Sequence, residues 1–455
     1  MVEGSLAWAA QAMDGRLVGG DAAFVGVSTD TRTLGKAQLF FALKGERIDA
    51  HDHLPEAVAA GAAAVVVNRE MTCGAPQIVV ADTRRALGAL ARAWRRKFDL
   101  PVVAITGSNG KTTTKEMVAS ILRQAGSTLA TQGNLNNDIG VPLTLFQLGP
   151  EHRFAVIEMG ANQPDDIRDL VGIAEPTVGL VTLVSAAHLA GFGSLEGVAR
   201  AKGEIYARLG QSGCALINQD DAFQSQWHGT AGAARVLRFG LAAGADVTAR
   251  DIAAASLGQG STFRLVAGAH ELAVHLPLDG MHNVRNALAA AAAGLALAIP
   301  LETIRDGLEA MVPVKGRLNV KAAPSGMVLI DDTYNANPSS LAAGLSLLAQ
   351  QPGQRWLLLG DMGELGDDAA HLHREAGLAA RAAGVERLFA VGPLAAEAAR
   401  AFGDGATACT SREAAVAAVK AHGGTGVTLL VKASRFMQFE RAVAALMAQE
   451  ELATC

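Results

Sequence analysis

The sharpest chemistry in this chain lies in Thr106-Gly107-Ser108-Asn109-Gly110-Lys111-Thr112-Thr113-Thr114, directly after the apolar run Val102-Val103-Ala104-Ile105. A strand, a glycine-bearing turn and a helix start aim several backbone N–H groups at one point, and the helix dipole adds attraction for an anion. Gly107, Ser108, Asn109, Gly110 and Thr113 are expected to cradle phosphates. Lys111 would reach the β- and γ-phosphates and Thr112 would hold Mg2+. The loop departs from GxxxxGK[ST], since position 105 is Ile and only Gly107 and Gly110 precede the lysine. The plain alternative is a tight strand-to-helix turn with a surface lysine. ATP is the expected ligand.

Such a loop does not name a reaction, because kinases, ligases, GTPases and nucleotide-gated binding proteins all use one. A second signal is Glu158, which follows the apolar run Phe154-Ala155-Val156-Ile157. A carboxylate at the C-terminal end of a neighbouring strand is well placed to bind Mg2+ beside phosphates. Arg317 sits just past the linker-like Val312-Pro313-Val314-Lys315-Gly316, where a moving domain could bring its guanidinium onto the γ-phosphate. Taken alone, His188 reads as a structural group, Lys202 as a solvated charge, and Asn283 and Asn286 as helix-start residues.

The elements that must hold these groups fall into three segments, near one domain per 150 residues. Residues 1–84 contain short strand-like runs and a helix over 54–60 that stops at Gly61. A helix over 84–98 then leads to Pro101. In 85–314, unbroken apolar runs at 154–157, 178–181 and 214–217 predict parallel strands covered on both faces, with a small antiparallel addition within 246–277. In 315–455, strands are expected at 327–330, 355–359, 387–391 and 427–431. Asn337-Pro338 opens a helix there. The predicted fold is α/β in three domains, each with its own core: a small N-terminal domain, a central P-loop ATPase-like parallel sheet, and a C-terminal Rossmann-like domain.

Several longer stretches resemble the Mur ligases of peptidoglycan synthesis, in the same order along nearly the whole chain. They are the TGxNGKTT loop at 106–113, GNxNNxIGVPLTL at 133–145, EMGA at 158–161, AHLxGFGS at 187–194 and AKGEI at 201–205. GxHNVxNAxAA follows at 280–290, DDxYNANPxS at 331–340, GDMxELG at 360–366 and VKxSR at 431–435. The resemblance implies ATP-dependent amide formation through an acyl phosphate, joining D-alanyl-D-alanine to UDP-N-acetylmuramoyl-tripeptide. It makes His188 a ligand of a second Mg2+ and Lys202 a carbamylated, carboxylate-like metal bridge. It brings Asn283 and Asn286 to the nucleotide base and Asp332 to the ATP ribose. It also assigns Ser28, Asp30, Arg32, Lys44, Asn136 and Asn137 to the UDP substrate. Two other readings stay open. One is a sister ligase adding a single amino acid or glutamate, although no DNPR-type acceptor motif occurs. The other is a nucleotide-gated binding protein without chemistry.

Composition narrows the partners. Half the residues are hydrophobic, 18% are charged and the net charge is −5, which argues against nucleic acid or an anionic membrane as the general partner. The four cysteines are isolated, so neither a disulfide framework nor a cysteine zinc site is indicated. The start Met1-Val2-Glu3-Gly4 lacks a signal peptide's basic flank and apolar stretch, and the most membrane-like stretch, 287–300, is too short to span. A cytoplasmic monomer is expected.

Overall fold

Pro101 cannot continue a helix and holds the chain extended as it enters Val102–Thr106, a strand buried along its whole length. In this computed structural model, which describes residues 1–186 and 189–448, that strand lies inside a nine-stranded sheet. From one edge the strands are His270–Leu276, Ser261–Ala267, Val247–Ala254, Arg235–Phe239, Cys214–Asn218, Val178–Val181, Val102–Thr106, Phe154–Glu158 and Thr128–Ala130. The pairings from Arg235–Phe239 across to Thr128–Ala130 are all parallel. Strand order reverses around Val102–Thr106, so a crevice opens beyond the C-terminal ends of this strand and its two neighbours.

The antiparallel addition within 246–277 is present. Val247–Ala254 pairs in parallel with Arg235–Phe239 through Val247 and Phe239, so the addition extends the edge of the main sheet. Its faces alternate, buried at Phe263, Leu265, Val274 and Leu276. That period-two pattern is what allows a sheet edge to keep one face wet.

The first segment forms a five-stranded sheet in the order Arg16–Val18, Gln77–Val79, Ala64–Val67, Leu39–Phe41 and Val27–Ser28. The last segment forms a six-stranded sheet in the order Asn319–Ala322, Val328–Asp332, Val427–Lys432, Gln354–Gly360, Arg387–Val391 and Ala406–Cys409. Only its edge strand Asn319–Ala322 runs antiparallel. The structure is therefore α/β, with largely parallel sheets.

Each segment has apolar packing of its own, in the first around Phe40, Leu54 and Val65, but the other face of the first sheet shares a core with the central sheet. Leu6, Phe41, Val66 and Ile78 of the first segment lie in one continuous apolar cluster with Leu87, Leu90 and Trp94 of the helix Thr83–Arg95, and with Val102, Ile157 and Ile217 of the central sheet. That helix has apolar residues on two faces and is a shared wall. The C-terminal sheet keeps its own clusters, centred on Leu357 and Leu359 on one face and Trp356 and Leu358 on the other. No helix among the described residues is long and apolar enough to cross a membrane.

Candidate active site

Two glycines shape the phosphate loop. Gly107 has φ +147°, and a Cβ there would lie 1.8 Å from Thr182 Oγ1. Gly110, at φ +80°, would place a Cβ 2.5 Å from Asn286 Oδ1. A side chain at either position would push the loop off its support. Thr182 Oγ1 donates to the Asn109 carbonyl at 2.6 Å and so grips the loop from the adjacent strand. Spacing within the loop could not reveal Thr182, because it lies far away in sequence.

Gly110 is the N-cap of the helix Lys111–Ala125 and provides no side-chain cap, which leaves the helix's first N–H groups available to an anion. Lys111 Nζ bends back to the carbonyl of Gly107 at 2.7 Å. Burial pushes its pKa down, Glu158 opposes that, and Arg317 reinforces it. Ser108 Oγ donates to the Ser185 carbonyl at 3.1 Å, and Thr112 and Thr113 are buried in the first turn.

Glu158 is buried at the end of its strand. Its Oε1 accepts from Asn136 Nδ2 at 2.8 Å, while Oε2 has no hydrogen-bond partner among the described residues. A buried carboxylate oxygen without a donor is costly unless a cation or ligand satisfies it. Together with the Thr112 hydroxyl, this oxygen fits Mg2+, a hard ion that prefers oxygen. His188 lies outside the described residues. Among the described residues no cluster of three His, Cys, Asp or Glu side chains could hold a metal, so phosphate oxygens and residue 188 would have to complete such a site.

Lys202 ends the helix Leu195–Gly203 and is fully buried, with Nζ 5.8 Å from the Phe192 ring. Burial drives its pKa well down, and Lys111 pushes the same way. The neutral amine is thereby favoured, the form that can take up CO2.

The C-terminal segment meets the loop. Arg317 Nη2 donates to Thr112 Oγ1 at 3.1 Å, and its guanidinium lies 4.1 Å from the centre of the Tyr334 ring. Buried Arg317 Nε has no hydrogen-bond partner among the described residues. Asp332 forms a buried ion pair with Lys432, whose Nζ also donates to the Asn335 carbonyl at 3.1 Å. A cavity of about 280 Å3 is bordered by Asn283, Asn286, Arg317 and Asp332. His282 borders it too, and burial lowers its pKa to about 4. A larger cleft of about 1030 Å3 opens on the other side of the loop, lined by Lys111, Asn136, Asn137, Glu158, Arg317 and Arg435 among others. Tyr334, Lys432 and Arg435 belong to the site although sequence reasoning does not single them out. Their signal is present in the DDxYNANPxS and VKxSR stretches.

The six residues expected to share the UDP substrate lie in two segments of the chain. Asn136 serves Glu158, and Asn137 Oδ1 accepts from Gly140 N at 2.8 Å at the start of the helix Gly140–Leu145. Both line the large cleft. Ser28, Asp30 and Arg32 form a separate turn at the end of the strand Val27–Ser28. There Arg32 clasps Asp30 through Nε at 2.9 Å and Nη2 at 2.7 Å. Lys44 is exposed, forms a backbone bridge with Asp49 and follows Leu39–Phe41, the strand that runs parallel beside Val27–Ser28. Asn136 and Asn137 belong to the central sheet's crevice and the others to the first segment, so one ligand meeting all six would have to span both.

Family models described as Mur ligase family, catalytic domain, Mur ligase middle domain, and Mur ligase, glutamate ligase domain match residues 23–95, 105–294 and 316–435. UDP-N-acetylmuramoyl-tripeptide–D-alanyl-D-alanine ligase of Escherichia coli (strain K12) is 43% identical over 461 residues, covering 100% of both chains. The chain belongs to the Mur ligase family. A crystal structure of MurF from Acinetobacter baumannii superposes on this Mur ligase with a TM-score of 0.93 at 38% identity, over 99% of this chain and 100% of that one. The MurF ligase from Thermotoga maritima, solved in complex with ADP, reaches a TM-score of 0.83 at 26% identity, over 93% and 97% of the two chains.

Proposed function

We propose that this protein joins D-alanyl-D-alanine to UDP-N-acetylmuramoyl-tripeptide at the expense of ATP, releasing ADP and phosphate, in peptidoglycan synthesis. The observation that carries this reading is the full-length likeness to ligases of that name, with the phosphate loop, Glu158 and Arg317 gathered on one cleft, Glu158 Oε2 having no partner among the described residues. ATP lies with its phosphates over Gly107–Thr113 and its base towards Asn283 and Asn286, while Asp332, released from or shared with Lys432, meets the ribose. The γ-phosphate passes to the terminal carboxylate of the tripeptide. The dipeptide's free amine attacks the acyl phosphate, and phosphate leaves from a tetrahedral intermediate. Lys111 and Arg317 offset oxyanions that would otherwise repel one another, so the protein works mainly by positioning and charge neutralisation.

Thr112, Glu158, His188 and Lys202, the last carbamylated, would hold Mg2+, which when bound supplies further shielding of phosphate charge. Ser28, Asp30, Arg32 and Lys44 engage the uridine nucleotide on the first sheet, and Asn136 and Asn137 face its peptide end from the cleft. Residues 1–84, 85–314 and 315–455 serve the UDP substrate, ATP and the acceptor amine respectively. The protein works as a cytoplasmic monomer, where ATP and the UDP precursor are available.

The test is ADP release measured over a panel of UDP-muramyl peptides and amines. Turnover should require both UDP-N-acetylmuramoyl-tripeptide and D-alanyl-D-alanine, because water must be kept from the acyl phosphate. Full-rate ADP release without the dipeptide would sink the ligase reading. Preference for a single amino acid would move the protein to a sister activity.

A further inference from the structure

Asn337 uses the two ends of one amide for different purposes. Its Oδ1 accepts from Ser340 N at 2.9 Å, and Ser340 Oγ accepts from Asn337 N at 3.0 Å, which completes the capping box of the helix Pro338–Ala349. Its Nδ2 reaches out of the C-terminal segment and donates to Asn109 Oδ1 in the phosphate loop at 2.9 Å. Asn109 Nδ2 returns a longer bond of 3.3 Å to Asn337 Oδ1 and also donates to Ser185 Oγ at 3.0 Å. Ser185 N in turn donates to Ser108 Oγ at 3.0 Å. One side chain of the C-terminal sheet is thus wired into two residues of the loop and into the strand exit at Ser185.

Capping alone does not call for asparagine. Serine and aspartate cap a helix about as well, but aspartate has no donor and serine has a single oxygen next to the backbone, whereas the amide accepts at Oδ1 and presents a separate N–H at Nδ2 towards the loop. Asn337 is also 9% exposed, so its outward amide is not simply solvated. With the C-terminal segment undocked, Asn109 would lose its Oδ1 partner and its side chain could rotate. Docked, Asn109 is held between Ser185 and Asn337 while Thr182 holds its carbonyl. A loop whose N–H groups must point at phosphate benefits from being fixed beforehand.

We propose that Asn337 is a positioning residue that completes the phosphate loop through Asn109, making the loop's nucleotide-competent shape conditional on docking of the C-terminal segment. Arg317 and Asp332 arrive with the same segment, so loop and ligands are assembled in one event. The inference rests on the ligase reading for its role in turnover, but its test reads nucleotide binding alone.

A double-mutant cycle on the full chain tests it, using Asn337→Ser, Asn109→Ala and the pair, titrated with a non-hydrolysable ATP analogue and Mg2+. Each single variant should bind about tenfold more weakly, equivalent to about 1.4 kcal/mol, and the double variant should also lose about tenfold. Asn337→Ser should keep the melting temperature within about 2 °C, because serine preserves the cap. A loss near a hundredfold in the double variant would mean the two residues act independently and would overturn the proposal. So would unchanged affinity in Asn337→Ser. If serine unsettles the helix, Asn337→Asp keeps the capping oxygen, removes the Nδ2 donor and enters the same cycle, where the same two results would support or overturn the proposal. A wild-type protein that binds the analogue but releases no ADP with any acceptor would defeat the ligase reading and leave this cycle interpretable.

Discussion

At the phosphate loop, polar groups are buried and not all of them are satisfied. At the Ser28–Arg32 turn the charged pair faces water and its members satisfy one another. Glu158 Oε2 and Arg317 Nε lack hydrogen-bond partners among the described residues, and Lys202 is sealed in. Arg32 and Asp30, by contrast, form a complete two-pronged pair in water, and the arginine side chain is 87% exposed. The first region keeps its groups in states that a ligand would relieve, as expected where catalysis depends on fixed charge. The second already has its charges paired, so a ligand would relieve less there. Residue types alone suggest two binding sites of similar quality. Burial separates one strained for its ligand from one at rest.

The widest gap between the regions should come from Lys111→Ala, which removes the charge facing the transferred phosphoryl group. Turnover should fall by about a thousandfold or more while the melting temperature barely moves. Near-normal ADP release from that variant would remove the phosphate loop from the mechanism. Lys202→Ala should follow, with a loss of about a hundredfold or more, partly restored by acetate or propionate occupying the space a carbamate would fill. A fully active Lys202→Ala enzyme would return this lysine to a packing role and narrow the contrast. Arg32→Ala should act more gently, raising KM for the UDP substrate about tenfold with kcat nearly unchanged, since it removes a single charged contact. A kcat effect instead would tie the turn to the chemistry.

The smallest difference lies in pH response, and its direction follows from protonation. His282 binds its proton more weakly when folded, with a pKa near 4, so the stability it contributes is intact above about pH 6.5 and lost as pH falls towards 4. Between pH 7 and 4.5 this should cost about 1–2 kcal/mol in urea unfolding, and His282→Gln should flatten the slope. Asp30, lowered to about 2 chiefly by its hydrogen bonds from Arg32, contributes above about pH 4 and loses that only as pH falls towards 2. Asp30→Asn should therefore leave the pH 7 to 4.5 slope unchanged. A shift there would show the turn to be less self-contained than its geometry indicates.

Much of the architecture was legible. Unbroken apolar runs marked the buried parallel strands, and Asn337-Pro338 marked a helix start that the structure shows as a full capping box. Strands such as Thr128–Ala130 and Asn319–Ala322 were not, because short edge strands carry few apolar residues to betray them. The phosphate loop could be read because its chemistry is local, confined to consecutive residues. Thr182 under Gly107, Asn286 under Gly110 and Asn337 against Asn109 could not be placed so, since each contact joins distant parts of the chain. The bond from Asn136 to Glu158 was hidden for the same reason, since strand order sets that partner.

The helix Thr83–Arg95 packs the first sheet and the central sheet into one apolar mass, and Arg95 fastens it by donating to the carbonyls of Ala174, Phe98 and Leu100. The C-terminal sheet has separate clusters and joins through the extended stretch around Val312, which is 76% exposed. The molecule thus has three large sheets but two cooperative bodies. Heating should melt residues 1–311 as one block and the remainder as another, and excising the first 84 residues would strip a wall from the ATP-binding sheet. The natural place to cut this chain is near residue 312, but a segment exchanged there carries Arg317, Asp332 and Asn337 with it and so brings its own share of the ATP site.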